Sequence, residues 1–189
     1  MAAAPAVLLM AGGAAPDPEL RGLLGSARAL ELENLLLERA LRWASELSPE
    51  RVEQAGPSEK LADAVQRVLT AGDGAPAVVV WPTLPRWGPE HAQGVLDDLA
   101  SGCEASVGPV YDGGLYLLAL TRVLPAVFEL PAEAWDSPDA MGRVLGAINK
   151  EGVDVGLLRA ERGLRRLGDV RAALADPLLD EELRSLLSG

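Results

Sequence analysis

Two apolar runs, Ser106–Val110 and Leu115–Leu120, are separated only by Tyr111-Asp112-Gly113-Gly114. Runs this close must be neighbours in space, and an aspartate followed by paired glycines supplies the positive φ of a tight reversal. The segment predicts a hairpin or a bulged crossover. A second constraint is Ala77–Trp81, AVVVW, a β-branched run between Pro76 and Pro82 that reads as a central strand. Ala6–Met10 is a short continuous apolar run opening into Ala11-Gly12-Gly13, the pattern of a strand buried on both faces. Arg51–Gln54 and Val153–Leu158 are further strand candidates.

Helical spacing fills the intervals. Leu20–Leu47 carries Leu32, Leu35, Leu36, Arg39 and Trp43 at that spacing, and stops near Ser48-Pro49. A second helix starts at Ser58 with Leu61, Ala64, Val65, Val68 and Leu69 on one face. Gly88-Pro89-Glu90 opens a third, with Val95, Leu96 and Leu99 apolar. Ser137-Pro138-Asp139 begins a fourth that runs to about Lys150, and Asp169–Leu187 makes one or two closing helices broken at Asp176-Pro177. This alternation predicts an α/β fold: a single-domain three-layer sandwich with a mixed, mostly parallel sheet and a locally antiparallel edge at the hairpin. A chain of 189 residues, 49% hydrophobic, suits one such core. Ligands bind such sheets beyond the carboxyl ends of the strands, which directs attention to the loops after Met10, Trp81 and Val110.

Charge narrows the partners. A net charge of −11 gives no general attraction for nucleic acid or anionic lipid. The basic cluster Arg159, Arg162, Arg165 and Arg166 has no aromatic residue within it and reads as a solvated helix face or turn. We therefore expect no nucleic-acid partner and no membrane. Cys103 is the only cysteine, so no intrachain disulfide can form, and a cytoplasmic location is expected. The start MAAAPAVLLMAGGAA lacks the basic region of a secretory signal and reads as the first strand.

Few residues can carry chemistry. His91 is the sole histidine and no GxSxG accompanies it, so it reads as an exposed structural residue and not as part of a nucleophilic triad. One histidine and one cysteine do not make a zinc site, whereas a hard divalent cation on carboxylates stays open. Neither a P-loop nor a Rossmann fingerprint occurs. Gly12-Gly13 would let backbone N–H groups approach a phosphate, or would simply turn the chain. The stronger constellation is Asp112-Gly113-Gly114 with Tyr111 and Tyr116 beside it. There a carboxylate could accept hydroxyls or assist a metal, although Asp-Gly is also an ordinary turn.

The wider pattern runs from GPVYDGGLYLLAL (Gly108–Leu120) through Phe128 and Trp135-Asp136-Ser137-Pro138 to Leu167-Gly168-Asp169-Val170. It resembles a family of bacterial glycosyltransferase-like proteins, the selenodomain- or radical-SAM-associated transferases long catalogued as a domain of unknown function. That family is related in fold to the 2-phospholactate guanylyltransferases. The resemblance covers about Pro5 to Ala175 of a single domain spanning 1–189, leaving a C-terminal helical tail at 176–189. It implies the nucleotide-diphospho-sugar transferase fold of GT-A type, a nucleotide or nucleotide sugar over the first strands, and Mg or Mn bridging the diphosphate. Asp112 and Asp169 are the implied metal carboxylates. Gly12, Gly13, Thr83, Gly113, Gly114, Tyr116 and Arg171 complete the implied ligand site, with Tyr111 or Tyr116 stacking on a base or sugar.

The chain departs from the family where phosphate is handled. The family's loop M-A-R-A-P-x-P-G-x-x-K-T-R-L is here Met10-Ala11-Gly12-Gly13-Ala14-Ala15-Pro16-Asp17-Pro18-Glu19-Leu20-Arg21, with one cation left. Thr83 replaces the first aspartate of T-D-C-P-D-L, and Arg171 the second of D-V-D-T. Metal and cationic groups offset several kcal/mol of leaving-group charge, and about 1.4 kcal/mol is tenfold in rate. Arg171 is the expected stand-in for the metal, since a guanidinium clamps phosphate unaided. No catalytic residue is assigned. The two readings are a divergent transferase, and a non-catalytic scaffold or partner subunit that keeps the fold. The second expects a protein partner or homo-oligomer, and exposed Trp81, Trp87 or Trp135 would favour it.

Overall fold

The computed structural model describes residues 4–10, 16–56, 59–135 and 137–188. Its strands are β1 (Ala6–Leu9), β2 (Val52–Gln54), β3 (Ala77–Val80), β4 (Ala105–Pro109), β5 (Leu115–Leu120) and β6 (Val155–Leu157). They form one sheet in the order β2-β1-β3-β5-β4-β6. β1 is parallel to β2 and β3, β4 is parallel to β6, and β5 runs antiparallel to both β3 and β4. The hairpin is therefore real, but its reversed strand is internal and not at an edge. Every residue of β5 is buried, and such a strand gains most when both neighbours complete its ladder.

The helices are α1 (Pro18–Leu47), α2 (Leu61–Ala71), α3 (Pro89–Ala100), α4 (Pro125–Phe128), α5 (Ala132–Trp135), α6 (Ala140–Lys150), α7 (Leu167–Ala175) and α8 (Glu181–Ser188). The short α4 and α5 stand where no helical period is readable. Asp17 caps α1 by accepting the Leu20 N–H at 2.7 Å, and Gly25, at φ 76°, kinks the helix. Strand alternation divides the core. Ala6, Leu8, Ala77 and Val79 face α2, α4 and α6, while Val7, Leu9, Val78 and Val80 face Trp43 and Ala44 of α1 and Val95 of α3. Helices on both faces make the expected three-layer sandwich. The last helix is no loose tail: Leu183, Leu186 and Leu187 of α8 close a third cluster with Leu20, Leu24 and Leu32.

Because β1, β3, β4 and β6 share one direction, the loops that follow them emerge at one edge of the sheet. β5 starts at that edge with an irregularity: Gly108 pairs with Leu117 and Pro109 with Leu115, so Tyr116 is left over as a bulge. The bulge decides where that tyrosine goes.

Candidate functional site

The turn after β4 is fixed by its own backbone. Gly113 donates to the Val110 carbonyl at 3.0 Å, Val110 donates to that of Gly114 at 3.0 Å, and Gly114 N–H reaches Asp112 Oδ1 at 3.0 Å. Gly113 has φ 90°, and a Cβ there would collide with the Pro138 carbonyl, so the position needs glycine twice over. The Gly113 carbonyl in turn accepts from Met141 N at 2.9 Å, tying the turn to α6. Asp112 is thereby held with its second oxygen, Oδ2, left for another partner.

That partner comes from the segment between β6 and α7. A bridge pairs Val110 with Glu161 and carries the Arg162–Arg166 stretch alongside the hairpin turn. Arg166 Nε lies 3.4 Å from Asp112 Oδ2. Asp169, in the first turn of α7, accepts the Arg166 N–H at 3.0 Å and the Arg165 N–H at 3.3 Å on Oδ2, and its Oδ1 lies 3.8 Å from Arg162 Nη1. Burial pushes the Asp169 carboxyl above its ordinary pKa; the two N–H bonds oppose that and neighbouring Asp112 adds to it. Tyr111 is 66% exposed and carries the Arg162 guanidinium 5.3 Å from its ring centroid. Together Tyr111, Asp112, Arg162, Arg166 and Asp169 line a cleft of about 400 Å³, with Asp17 and Glu19 from the start of α1 also on its wall.

The sequence-predicted residues divide sharply. Asp112 and Asp169 meet in this cleft, with Gly113 and Gly114 shaping it. Gly12 and Gly13 lie outside the described residues. Tyr116 does not present its ring to a ligand: it is 1% exposed, the bulge having turned it onto the core, and its hydroxyl donates to the Arg159 carbonyl at 3.2 Å. Burial also raises its phenol pKa. Thr83 is 1% exposed, with no hydrogen-bond partner for its hydroxyl, and does not line the cleft; its carbonyl accepts from Leu164 N at 2.8 Å. Arg171 is exposed and also absent from the lining, because two residues along a helix rotate a side chain about 200° away from Asp169. The cations that join the carboxylates are instead Arg162 and Arg166. Their signal was the basic cluster directly ahead of the Leu167-Gly168-Asp169 motif, and of the two readings of that cluster, helix face or turn, they lie in a loop ahead of α7.

A resident divalent metal does not fit these groups. Mg needs only one or two carboxylates beside phosphate oxygens and water, but those carboxylates must be free of competing cations. Here Asp112 and Asp169 already accept backbone N–H groups and face guanidiniums, Asp17 is spent on capping α1, and no three His, Cys, Asp or Glu side chains converge among the described residues.

Beside this cleft the same edge of the sheet is filled. Trp87 packs on Trp43 with centroids 4.7 Å apart, and on His91 and Tyr116 at 5.5 and 5.7 Å. His91 is not exposed but buried. Its Nδ1 accepts the Gly88 N–H at 3.0 Å, capping α3, and its Nε2 lies 3.5 Å from Glu161 Oε1. Trp81 is buried and stacks on Trp135 at 5.8 Å. Trp81 is thus a core residue, whereas Trp87 and Trp135 are half-buried, and Trp87 also lines the recess between α1 and the loop after β3. A larger recess of about 530 Å³ lies between α1 and the loop after β3, but it shares no lining residue with the carboxylate cleft. Its wall charges are largely spent, Arg39 being tied to Asp180 at 2.6 and 2.9 Å and to Glu182 at 3.1 Å.

No helix among the described residues is long and apolar enough to cross a membrane. No curated protein matches the chain. Among solved structures, it is similar to a protein of Desulfovibrio desulfuricans G20 that bears the provisional name nucleotide-diphospho-sugar transferase. The two are 17% identical over 98% of this chain and 94% of the other, with a TM-score of 0.70. That likeness gives the fold alone, an α/β domain of the same architecture as that protein. The sequence signal covers residues 25–132, from the kink of α1 through the hairpin that holds Asp112 to the start of α5, and it makes the chain a member of the bacterial family described as uncharacterized protein conserved in bacteria (DUF2064).

Proposed function

We propose that this protein binds a nucleotide or nucleotide sugar in the cleft between the Asp112 turn and the start of α7, as a divergent relative of nucleotide-diphospho-sugar transferases. The observation that carries the reading is the convergence of Asp112 and Asp169 with an exposed Tyr111 on one cleft of about 400 Å³, at the carboxyl edge of the sheet where such folds bind ligands. Carboxylates accept sugar and ribose hydroxyls, the Tyr111 ring offers a stacking face, and guanidiniums meet phosphate oxygens. The provisional name of the Desulfovibrio protein supports the same ligand class. Binding is better supported than transfer, since Thr83, at the position of a family carboxylate, lies buried away from the cleft.

Thermal shift against a panel of nucleotides and nucleotide sugars, in chelator and in magnesium or manganese, tests this. A ligand at about a hundred times its Kd adds about 2.7 kcal/mol to the native state, and each kcal/mol is worth about 2–4 °C for a domain of this size. A rise of several degrees with at least one member is expected, and Asp112→Asn should diminish it. A flat response across the whole panel, with and without metal, overturns the proposal.

A further inference from the structure

Resting on the nucleotide reading above, we infer that Arg162 and Arg166 fill the role of a divalent cation in this cleft, so that a diphosphate is held by guanidinium groups without a metal. Each arginine stands against one of the two carboxylates that a metal would need, Arg166 3.4 Å from Asp112 and Arg162 3.8 Å from Asp169. A cation bound between these acids would have to displace both guanidiniums, which cannot shed their charge by losing a proton. The nearest approach of Arg166 to Asp112 is through Nε, and a guanidinium carries four further N–H donors on its Nη groups. The side chains of Arg162 and Arg166 keep 46% and 41% of their exposure, so a ligand can reach both.

The geometry of the guanidinium groups, and not the net charge of the wall, selects the ligand. Asp112 and Asp169 are offset one for one by the two arginines, and Asp17 and Glu19 add negative charge to the wall. A single phosphate gains little against that background. A diphosphate brings enough oxygens for two forked guanidinium contacts, each stronger than a neutral hydrogen bond. Arg171, exposed and outside the lining, takes no part.

The test is calorimetric titration of the full chain with inorganic pyrophosphate, once in EDTA and once in magnesium. Binding should be present in EDTA, and magnesium, which sequesters pyrophosphate in solution, should leave it unchanged or weaken it. Arg162→Gln and Arg166→Gln should each lose about tenfold or more in affinity, the scale of one charge-assisted contact, while Arg171→Gln changes nothing. Where a glutamine variant fails to fold by circular dichroism, the lysine variant replaces it. Lysine keeps the charge without the fork, and an intermediate loss is expected. Pyrophosphate binding that appears or tightens with magnesium overturns this inference and leaves the nucleotide reading standing. Affinity that survives both glutamine variants also overturns it. Absence of pyrophosphate binding in both buffers overturns it too, and the nucleotide reading then stands or falls on the nucleotide-sugar panel.

Discussion

The carboxyl edge of this sheet has two halves that the same strand geometry delivers to the surface, and the chain treats them in opposite ways. Beside β3, the loop holding Thr83 and Trp87 packs its inner side on Trp43, His91 and Tyr116, while its outer side borders the recess against α1. Beside β4, the loop holding Asp112 stays open and charged, with Arg162, Arg166 and Asp169 arriving across the Val110–Glu161 bridge. The inner side of the filled half beside β3 is given over to aromatic packing. The open half keeps polar groups that are paired and yet reachable. Stability should therefore reside in the first half and ligand chemistry in the second.

The sharpest way to break that contrast is to exchange the fates of the two tyrosines. Tyr116→Ala empties a fully buried site against Gly108, where even a Cβ would come within 2.5 Å of the ring, and it should cost about 3–5 kcal/mol in urea unfolding. Tyr116→Phe loses only the bond to the Arg159 carbonyl, about 1 kcal/mol. Tyr111→Ala should leave stability within about 0.5 kcal/mol of wild type while weakening ligand binding. If Tyr111→Ala proved as destabilising as Tyr116→Ala, the two halves would not differ as described.

Gly113→Ala comes next. The turn conformation at φ 90° and the Pro138 carbonyl both oppose a Cβ, so the variant should lose about 2–3 kcal/mol and shift Asp112 out of place. A variant as stable as wild type, by the same denaturation assay, would mean that the turn relaxes freely and does not hold Asp112.

Much of the contrast was legible in the chain, and the reasons for the rest are physical. The β1 and β3 runs, the hairpin around Asp112 and the stop at Asp176-Pro177 follow from local pattern, and the structure keeps all of them. The internal place of β5 was not read, an edge being expected, although LYLLAL does not alternate polar residues outward as an edge strand would. Long-range pairing was not legible. Nothing local says that Glu161 will bridge to Val110, so Arg162 and Arg166 read as a solvated cluster, and Arg171, a few residues on, reads as the working cation. His91 was missed for the reverse reason. Its helix carries Leu96 as an apparent core residue, yet Leu96 is 39% exposed and the histidine is buried, because its Nδ1 is consumed in capping the helix.

A smaller effect concerns the rim of the filled half. Arg39 donates to the Pro85 carbonyl at 2.7 Å and grips Asp180, whose carboxyl the guanidinium holds down at about 2 against an ordinary 3.8. A lowered folded pKa gives stability that is present above the unfolded value and is lost as pH falls through the folded one. Wild-type stability should thus drop between about pH 4 and pH 2, and Arg39→Ala should flatten that drop. Asp180 is half exposed, so at neutral pH the variant should cost only about 1 kcal/mol. A pH profile identical in wild type and variant would show that the pair contributes nothing to the rim.

The smallest predicted change has the opposite sign and tests the open half directly. Asp169 is buried, and its carboxyl is raised above the ordinary value, so its charged form opposes folding: the stability it adds is present at low pH and is lost as pH rises through the folded pKa. Asp169→Asn keeps an oxygen for the Arg165 and Arg166 N–H groups and sheds the buried charge, at the expense of the contact with Arg162. These terms nearly cancel, and the variant should lie within about 0.5 kcal/mol of wild type at pH 7. It should compare less well at pH 4, where the wild-type carboxyl takes up its proton. Urea midpoints at the two pH values decide the matter. A loss above about 2 kcal/mol at pH 7 would mean that the Arg162 contact outweighs the burial of the charge. In that case the carboxylate cleft would be held for stability, just as the aromatic half is, and the division of labour between the two halves would fail.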